Sequence, residues 1–242
     1  MDNKLDQLFL FISNNRQYNK ALQERFYNSA ILSYSNIKDK VVSLLYGVAN
    51  TQSQPKIDNL ATFFKSIFED LSCLSSFTAL TQKIAPDKPI NFESFYQGMI
   101  NQSGWGQKTS ALLSKSIFHL HNGDYSEELR IWNDVPKKIE DDEKFYLPVD
   151  AVIIAIFNRL DNKVKWNFDR VNSVLNKKYT SKQIEIWDDL WFWGFITQNG
   201  SGDERKFLWN ENKYWALKES DKDENTINEI RIKSHEFLNI FN

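Results

Sequence analysis

Apolar residues recur every three or four positions along most of this chain, and that spacing places them on one face of an α-helix. The clearest run is Ile57, Leu60, Phe64, Ile67 and Leu71. Glycine and proline, which interrupt helices, number only 8 and 5 in 242 residues. The pattern therefore predicts an all-α protein. The predicted helices are 2–14, 17–34, 37–48, 57–71, 77–84, 92–100, 109–121, 149–160, 182–197 and 224–241.

Three stretches between these helices carry turn signals. Residues 124–146 are polar and acidic, and they are predicted to form a connection with room for one short helix. Thr180 and the serine after it can cap the helix at 182–197. The sequence Gly-Ser-Gly at 200–202 predicts a hinge. Residues 207–217 fit either a small hairpin turning at Asn-Glu-Asn 210–212 or another helix.

Two glycines one residue apart, Gly104 and Gly106, separate the predicted helices 92–100 and 109–121. Glycine allows a positive φ in a tight turn, and it lets a phosphate group come close to the backbone amides. The second helix also presents N–H groups at its start that have no helical partner and therefore favour an anion. The two helices are thus predicted to form a hairpin, whose glycines fit either a simple turn or a phosphate-binding site.

The sequence Ser-Gly-Trp-Gly-Gln-Lys-Thr at 103–109, followed by Pro-Val-Asp at 148–150, resembles the helix-hairpin-helix DNA glycosylases. In the members of that family that also cleave the DNA strand, a lysine follows the second glycine and an aspartate starts a later helix. Lys108 and Asp150 stand at those two positions. Their separation, 150 − 108 = 42 residues, makes the chain most similar to the archaeal-type 8-oxoguanine DNA glycosylases. The motif spans about a fifth of the chain.

The resemblance implies a fold of two helical lobes with a cleft between them. Lobe one would contain residues 1–90 and 181–242, and lobe two would contain residues 91–180, with the hairpin at 100–108. The resemblance also implies that the backbone of the hairpin binds the DNA backbone. A monovalent cation at the hairpin is the one possible cofactor, and no other metal is expected. The hairpin residues concerned are Gly104, Trp105, Gly106 and Gln107.

The same family pattern assigns catalytic roles to Lys108 and Asp150. A DNA lyase needs a neutral amine that attacks the sugar C1′, displaces the base and forms a Schiff base, and Lys108 would supply it. Asp150 would stabilise the positive charge that develops on the sugar. Each residue also fits a structural role. Lys108 fits a solvated lysine in the first turn of a helix, and Asp150 fits the N-cap of the apolar helix that follows it.

A base pocket is predicted on the late helix. A glycosylase flips its target base out of the duplex and stacks it on aromatic rings. The archaeal-type enzymes carry an aspartate and a tryptophan one turn apart on a late helix. Asp189 and Trp193 match that pair, with Asp188 and Trp191 as the rival choice, and a tryptophan-rich core helix is the structural alternative. Gln17 resembles an early glutamine of the same pocket.

Composition bounds the setting in which such a protein would work. A net charge of −2 and a pI of about 6.0 count against a strongly basic DNA-binding surface, although six lysines and arginines lie between residues 162 and 182. One cysteine and three histidines without ligand spacing predict neither a disulfide framework nor a zinc site. No signal peptide and no run of roughly 18 apolar residues is visible. A cytoplasmic monomer that binds no membrane is therefore expected.

The resemblance to the helix-hairpin-helix DNA glycosylases implies an enzyme of base-excision repair. It would act as a DNA glycosylase and apurinic-site lyase that removes oxidised purine, 8-oxoguanine, from double-stranded DNA containing a damaged base. Leu112 departs from the archaeal-type pattern, which has an aromatic residue one turn beyond the lysine, and this leaves the base preference open. The alternative is a catalytically silent helical module that binds DNA or protein. A third interpretation is a helical scaffold in which the two glycines form only a turn.

Overall fold

The computed structural model describes residues 1–214 and 224–242, and most of them lie in α-helices, as the spacing of apolar residues predicts. None of the helices in these two stretches is long and apolar enough to cross a membrane. The helices are α1 (Asp2–Asn14), α2 (Arg16–Ile31), α3 (Ile37–Ala49), α4 (Ile57–Glu69), α5 (Phe77–Ile84), α6 (Phe92–Ile100), α7 (Gln107–Asn122), α8 (Ala151–Leu160), α9 (Phe168–Lys178), α10 (Ser181–Trp187), α11 (Asp189–Ile196) and α12 (Glu224–Asn239).

Several helices begin where the sequence predicts because a polar side chain caps their first turn. Ser76 and Asn91 each accept a hydrogen bond from the backbone N–H three residues further on. Such caps satisfy N–H groups that a helix leaves without partners. The predicted bounds 2–14, 77–84 and 92–100 are the observed ones.

The single helix predicted at 182–197 is wrong, because the structure has α10 and α11 with a break at Asp188. Asp188 and Asp189 are both buried, and a buried carboxylate is stable only when donors reach it. Gln23 Nε2 donates to Asp188 at 3.0 Å, and Arg16 Nε donates to Asp189 at 2.8 Å. Both donors lie on α2. A continuous helix would present these two neighbouring carboxylates on different faces. The break allows both of them to meet donors from α2.

The segment before α10 combines a confirmed cap with a helix that was not predicted. The hydroxyl of Thr180 accepts a hydrogen bond from the N–H of Gln183 at 3.3 Å, and Gln183 Oε1 accepts one in return from the N–H of Thr180 at 2.9 Å. This reciprocal pair is a capping box. The basic stretch upstream forms α9, in which Val171 and Leu175 are buried.

A two-stranded antiparallel ladder follows α11, formed by β1 (Gln198–Asn199) and β2 (Lys206–Phe207). The predicted hinge at 200–202 lies in the turn between these strands. Neither the hairpin turning at 210–212 nor a helix is present before residue 215, because Glu211–Lys213 form a 3₁₀ turn. The rest of the predicted 207–217 segment lies outside the described residues.

The connection at 124–146 contains the one short helix that the sequence allows, a 3₁₀ turn at Glu127–Leu129. Although the connection is polar overall, its apolar residues Ile131, Trp132 and Phe145 are buried. The indole N–H of Trp132 donates to the carbonyl of Leu74 at 2.9 Å. The connection therefore contributes side chains to a hydrophobic core.

The chain divides into two compact units. The terminal unit consists of Met1–Gln23, Val149–Leu175 and Ile186–Asn242, and the hairpin unit consists of Glu24–Pro148 and Asn176–Glu185. In the terminal unit α11 packs against α1, α8 and α12. In the hairpin unit α7 packs against α3 and α6, and α5 packs against α6.

This division differs from the predicted lobes, which assigned residues 24–90 to the first lobe and 149–175 to the second. The α4 helix belongs with the hairpin because the ring of Phe63 packs edge-on against Trp105 at 5.3 Å between centroids. The α8 helix belongs with the chain termini because it packs closely on α11. Both contacts join residues distant in sequence, which helical spacing does not predict.

Candidate catalytic residues

The turn between α6 and α7 requires one of its two glycines. Gly104 has φ +82°, and a Cβ there would lie 2.8 Å from the backbone nitrogen of Leu60. Gly106 is the N-cap of α7 with φ −120°, which any residue adopts, and a Cβ there would meet no atom within 4 Å. The fold therefore explains Gly104. The absence of a side chain at Gly106 leaves the start of α7 uncovered.

Side chains from the α3–α4 segment hold this turn in place. Trp105 is buried with its ring against Phe63, so only its backbone can meet a partner. Gln52 Nε2 donates to the carbonyl oxygen of Gly104 at 3.2 Å. This hydrogen bond engages one of the two lone pairs of the oxygen, and the monovalent cation at the hairpin stays a prediction. Gln107, the first residue of α7, is exposed.

Lys108 lies in the first turn of α7 with its side chain partly exposed. Its amine donates to the backbone carbonyl of Thr51 and to the Thr51 hydroxyl oxygen, both at 3.2 Å. The hydroxyl of Thr51 in turn donates to the carbonyl of Val48 at 2.8 Å. A helix start disfavours a cation, and the oxygens of Thr51 offset that penalty by accepting from the ammonium group. An attack by Lys108 would first need the amine to leave Thr51 and lose a proton.

The buried face of α7 carries a polar chain with a structural role. His119 Nε2 lies 2.5 Å from a carboxylate oxygen of Glu185, and the hydroxyl of Tyr27 lies 3.3 Å from His119 Nδ1. All three side chains are buried, and each makes a hydrogen bond that its burial requires. Lys115, the second lysine of this helix, is also buried.

Asp150 is the N-cap of α8, as the structural interpretation of the sequence predicts. Its Oδ1 accepts hydrogen bonds from the backbone N–H groups of Val152 at 2.9 Å and Ile153 at 3.1 Å. Its Oδ2 accepts a hydrogen bond from the indole N–H of Trp191 at 2.9 Å. A cap does not exclude a catalytic role, because its hydrogen bonds hold Oδ1 at the start of α8 and leave the carboxylate charged. Lys108 and Asp150 belong to different units.

Trp191 and Thr51 are the residues near the predicted catalytic groups that sequence reasoning missed in these roles. The sequence suggests Trp191 only as the rival base-stacking residue. Its ring lies parallel to that of Phe195, with 4.9 Å between centroids and 11° between planes, and it is 36% exposed. Thr51 follows the end of α3 in a polar turn, where nothing in the local sequence indicates a lysine partner.

Two of the predicted base-pocket residues, Asp189 and Trp193, are buried in the terminal unit, and the third, Gln17, is exposed. Trp193 is 0% exposed, and its ring packs edge-on against Phe11 at 5.0 Å and Tyr18 at 5.6 Å. Asp189 is 2% exposed and accepts from Asn19 Nδ2 at 2.5 Å as well as from Arg16. On α2 the contacts to Asp189 and Trp193 are made by neighbours of Gln17 in sequence, namely Arg16, Tyr18 and Asn19. Base recognition by Asp189, Trp193 and Gln17 stays a prediction.

Burial raises the pKa of the Asp189 carboxyl from an ordinary 3.8 to about 6, and Arg16 and Asn19 oppose that shift only in part. Between those two pH values the folded protein keeps a proton that the unfolded chain releases. The stabilising contribution of neutral Asp189 is therefore complete below about pH 4 and is lost as the pH rises through about 6.

Asp189→Asn removes this titration. We expect the free energy of unfolding of the wild type, relative to that of Asp189→Asn, to fall by up to about 3 kcal/mol from pH 4 to pH 7. Denaturant unfolding of both proteins across that range measures the difference, in which the other titrating groups cancel. A difference that stays constant with pH would contradict the shifted pKa.

No protein-family model matches the chain, and no curated protein or solved structure matches it either.

Proposed function

We propose that this protein is a DNA glycosylase with apurinic-site lyase activity, with Lys108 as the nucleophile and Asp150 as the catalytic carboxylate. The observation that carries the proposal is the uncovered start of α7. A simple helix–helix turn needs Gly104. It does not need glycine as the residue after Trp105, because a Cβ on Gly106 would meet open space. A ligand that approaches the backbone closely does benefit from that glycine. A DNA phosphate is such a ligand, because the first N–H groups of a helix favour an anion.

The proposed chemistry begins when the amine of Lys108 leaves Thr51 and gives up a proton. Its lone pair forms a bond to the sugar C1′, and the bond between C1′ and the base breaks. The electron pair of that bond leaves with the base, which then takes up a proton. A proton moves from the nitrogen to the ring oxygen O4′ as the bond between C1′ and O4′ breaks, which opens the sugar and leaves a protonated imine. Loss of a proton from C2′ then expels the 3′ phosphate and cleaves the strand.

Asp150 would act while the bond to the base breaks. Positive charge develops on the sugar at that stage, and a nearby carboxylate stabilises it. The N-cap hydrogen bonds hold Oδ1 of this carboxylate at the start of α8 before DNA arrives, which reduces the cost of ordering the group during the reaction.

Trp191 is better suited than Trp193 to contact a flipped base. Its ring is 36% exposed and its N–H donates directly to Asp150, whereas Trp193 is closed off in the core. A base beside Asp150 could therefore stack on Trp191 without opening the interior of the terminal unit. The predicted roles of Asp189 and Trp193 would require such an opening.

Incubation with a panel of duplexes tests the proposed function. The panel contains 8-oxoguanine opposite each normal base, uracil, an abasic site and undamaged DNA. We expect strand cleavage at 8-oxoguanine and at the abasic site and none in undamaged DNA. Duplex binding without cleavage of any member would support the silent DNA-binding module instead.

Gly106→Asp separates the phosphate-binding hairpin from a simple turn. Aspartate is a better N-cap than glycine and suits the positive end of a helix, so the melting temperature should stay the same or rise. The same carboxylate would repel a phosphate at this site. We expect the Kd for abasic duplex to rise at least about tenfold at low salt, as fluorescence anisotropy can measure.

Asn133→Asp is the matched control, because it adds the same charge at an exposed position of the same unit that is not part of the hairpin. It should leave DNA affinity nearly unchanged. Equal affinity of Gly106→Asp and Asn133→Asp for the duplex would remove the hairpin from the DNA-binding surface.

A further inference from the structure

We infer that Trp191 is a positioning residue for the carboxylate of Asp150, an inference that rests on the proposed function. The two oxygens of this carboxylate accept from different elements. Oδ1 accepts from two N–H groups of the first turn of α8, and Oδ2 accepts from the indole N–H of Trp191 on α11. A cap alone holds one oxygen and leaves the other able to swing. The indole removes that freedom, so the carboxylate presents its charge in one direction.

Trp191 can hold Asp150 only if it is itself held, and its stack on Phe195 does this. The two rings lie one helical turn apart on α11 and are nearly parallel. The ammonium group of Lys213 lies 4.9 Å from the centroid of Phe195 and donates to the carbonyl of Gln198. A cation near an aromatic face is attracted to it, which further restrains that ring.

The backbone of α11 is also held close to the start of α8. A Cβ at Gly194 would lie 2.6 Å from Cδ1 of Ile156 and 2.8 Å from Cγ1 of Val152, so the two helices are as close as a glycine allows. Gln198 Nε2 donates to the carbonyl of Val152 at 3.1 Å. These contacts set the distance between the helices. The indole N–H of Trp191 therefore reaches the carboxylate of Asp150 without adjustment of either backbone.

A double-mutant cycle tests the contact without using activity. Trp191→Phe keeps an aromatic ring for the stack but removes the donor, and Asp150→Asn places an amide N–H₂ where Oδ2 accepted. In Asp150→Asn two donors face each other, and Trp191→Phe relieves that conflict. We expect the melting temperature of the double variant to lie about 2–4 °C above the sum of the two single effects. Additive melting temperatures would overturn the inference.

The kinetic arm uses single-turnover base excision with excess protein. Trp191→Phe should lower the rate constant at saturating protein about ten- to hundredfold, because the carboxylate loses its orienting hydrogen bond. The protein concentration for half-maximal rate should change little, because Phe still stacks on a base. Trp191→Leu should affect both quantities, since it removes the donor and the ring.

Trp209→Phe is the control for the loss of an indole N–H. Trp209 is in the same unit, and its Nε1 has no hydrogen-bond partner within residues 1–214 and 224–242. Trp209→Phe should excise the base at the wild-type rate. Wild-type excision by Trp191→Phe would overturn the positioning role even if the cycle shows coupling. A wild-type protein inactive on every lesion would instead overturn the proposed function, while the cycle would still report whether the contact forms.

Discussion

Lys108→Ala is expected to abolish the covalent protein–DNA adduct that borohydride traps. The imine between a lysine amine and the sugar C1′ is the species that borohydride reduces, so no adduct can form without that amine. The wild type should be trapped on both abasic and 8-oxoguanine duplexes. Denaturing gels of the trapped products, followed by peptide mapping, measure the outcome. The melting temperature should change little, because the lost contact to Thr51 involves a partly exposed side chain.

Lys108→Arg is the matched control for charge. Arginine stays protonated and cannot act as the amine nucleophile, but it keeps the positive charge at the start of α7. It should bind duplex DNA nearly as tightly as the wild type while giving no adduct. Trapping of Lys108→Arg at the wild-type rate would refute the assignment. If peptide mapping placed that adduct on Lys115, the nucleophile would be a lysine that is buried in the free protein.

Much of the fold could be predicted because helices leave a local signal. The spacing of apolar residues, together with caps such as Ser76 and Asn91, determines where a helix begins. The break at Asp188 left no such signal. It depends on donors from Arg16 and Gln23, which reach the two carboxylates from the far end of the sequence. Such a tertiary contact can override a continuous helical pattern.

The residues of the candidate site show the same difference between local signals and tertiary contacts. Gly104 and Asp150 could be predicted from sequence because a turn and an N-cap depend on neighbouring residues. Thr51 and Trp191 could not, since they contact Lys108 and Asp150 across 57 and 41 residues of sequence. Trp193 is a case in which one spacing fits two structures. Its spacing from Asp189 matches a base pocket, yet the same spacing suits a helix face that packs into a core, where the structure places it.

Asp150→Asn should slow base excision by about a hundredfold to ten-thousandfold, which single-turnover kinetics on an 8-oxoguanine duplex measures. Asparagine is as good an N-cap as aspartate, so α8 should still begin at Ala151. The variant loses the hydrogen bond from the indole of Trp191 and, with it, the negative charge that we propose stabilises the sugar as the base departs. Its Kd for the same duplex should therefore stay close to that of the wild type.

Asp161→Asn makes the same chemical change at the opposite end of α8, where the carboxylate accepts from the N–H of Lys163. It should excise the base at the wild-type rate, which would show that the effect at Asp150 is local. All assays belong well below the melting temperature of Asp150→Asn, because the new amide faces the N–H of Trp191. If Asp150→Asn and Asp161→Asn excise the base equally fast, Asp150 is only a helix cap, and the charge that stabilises the sugar must come from another residue.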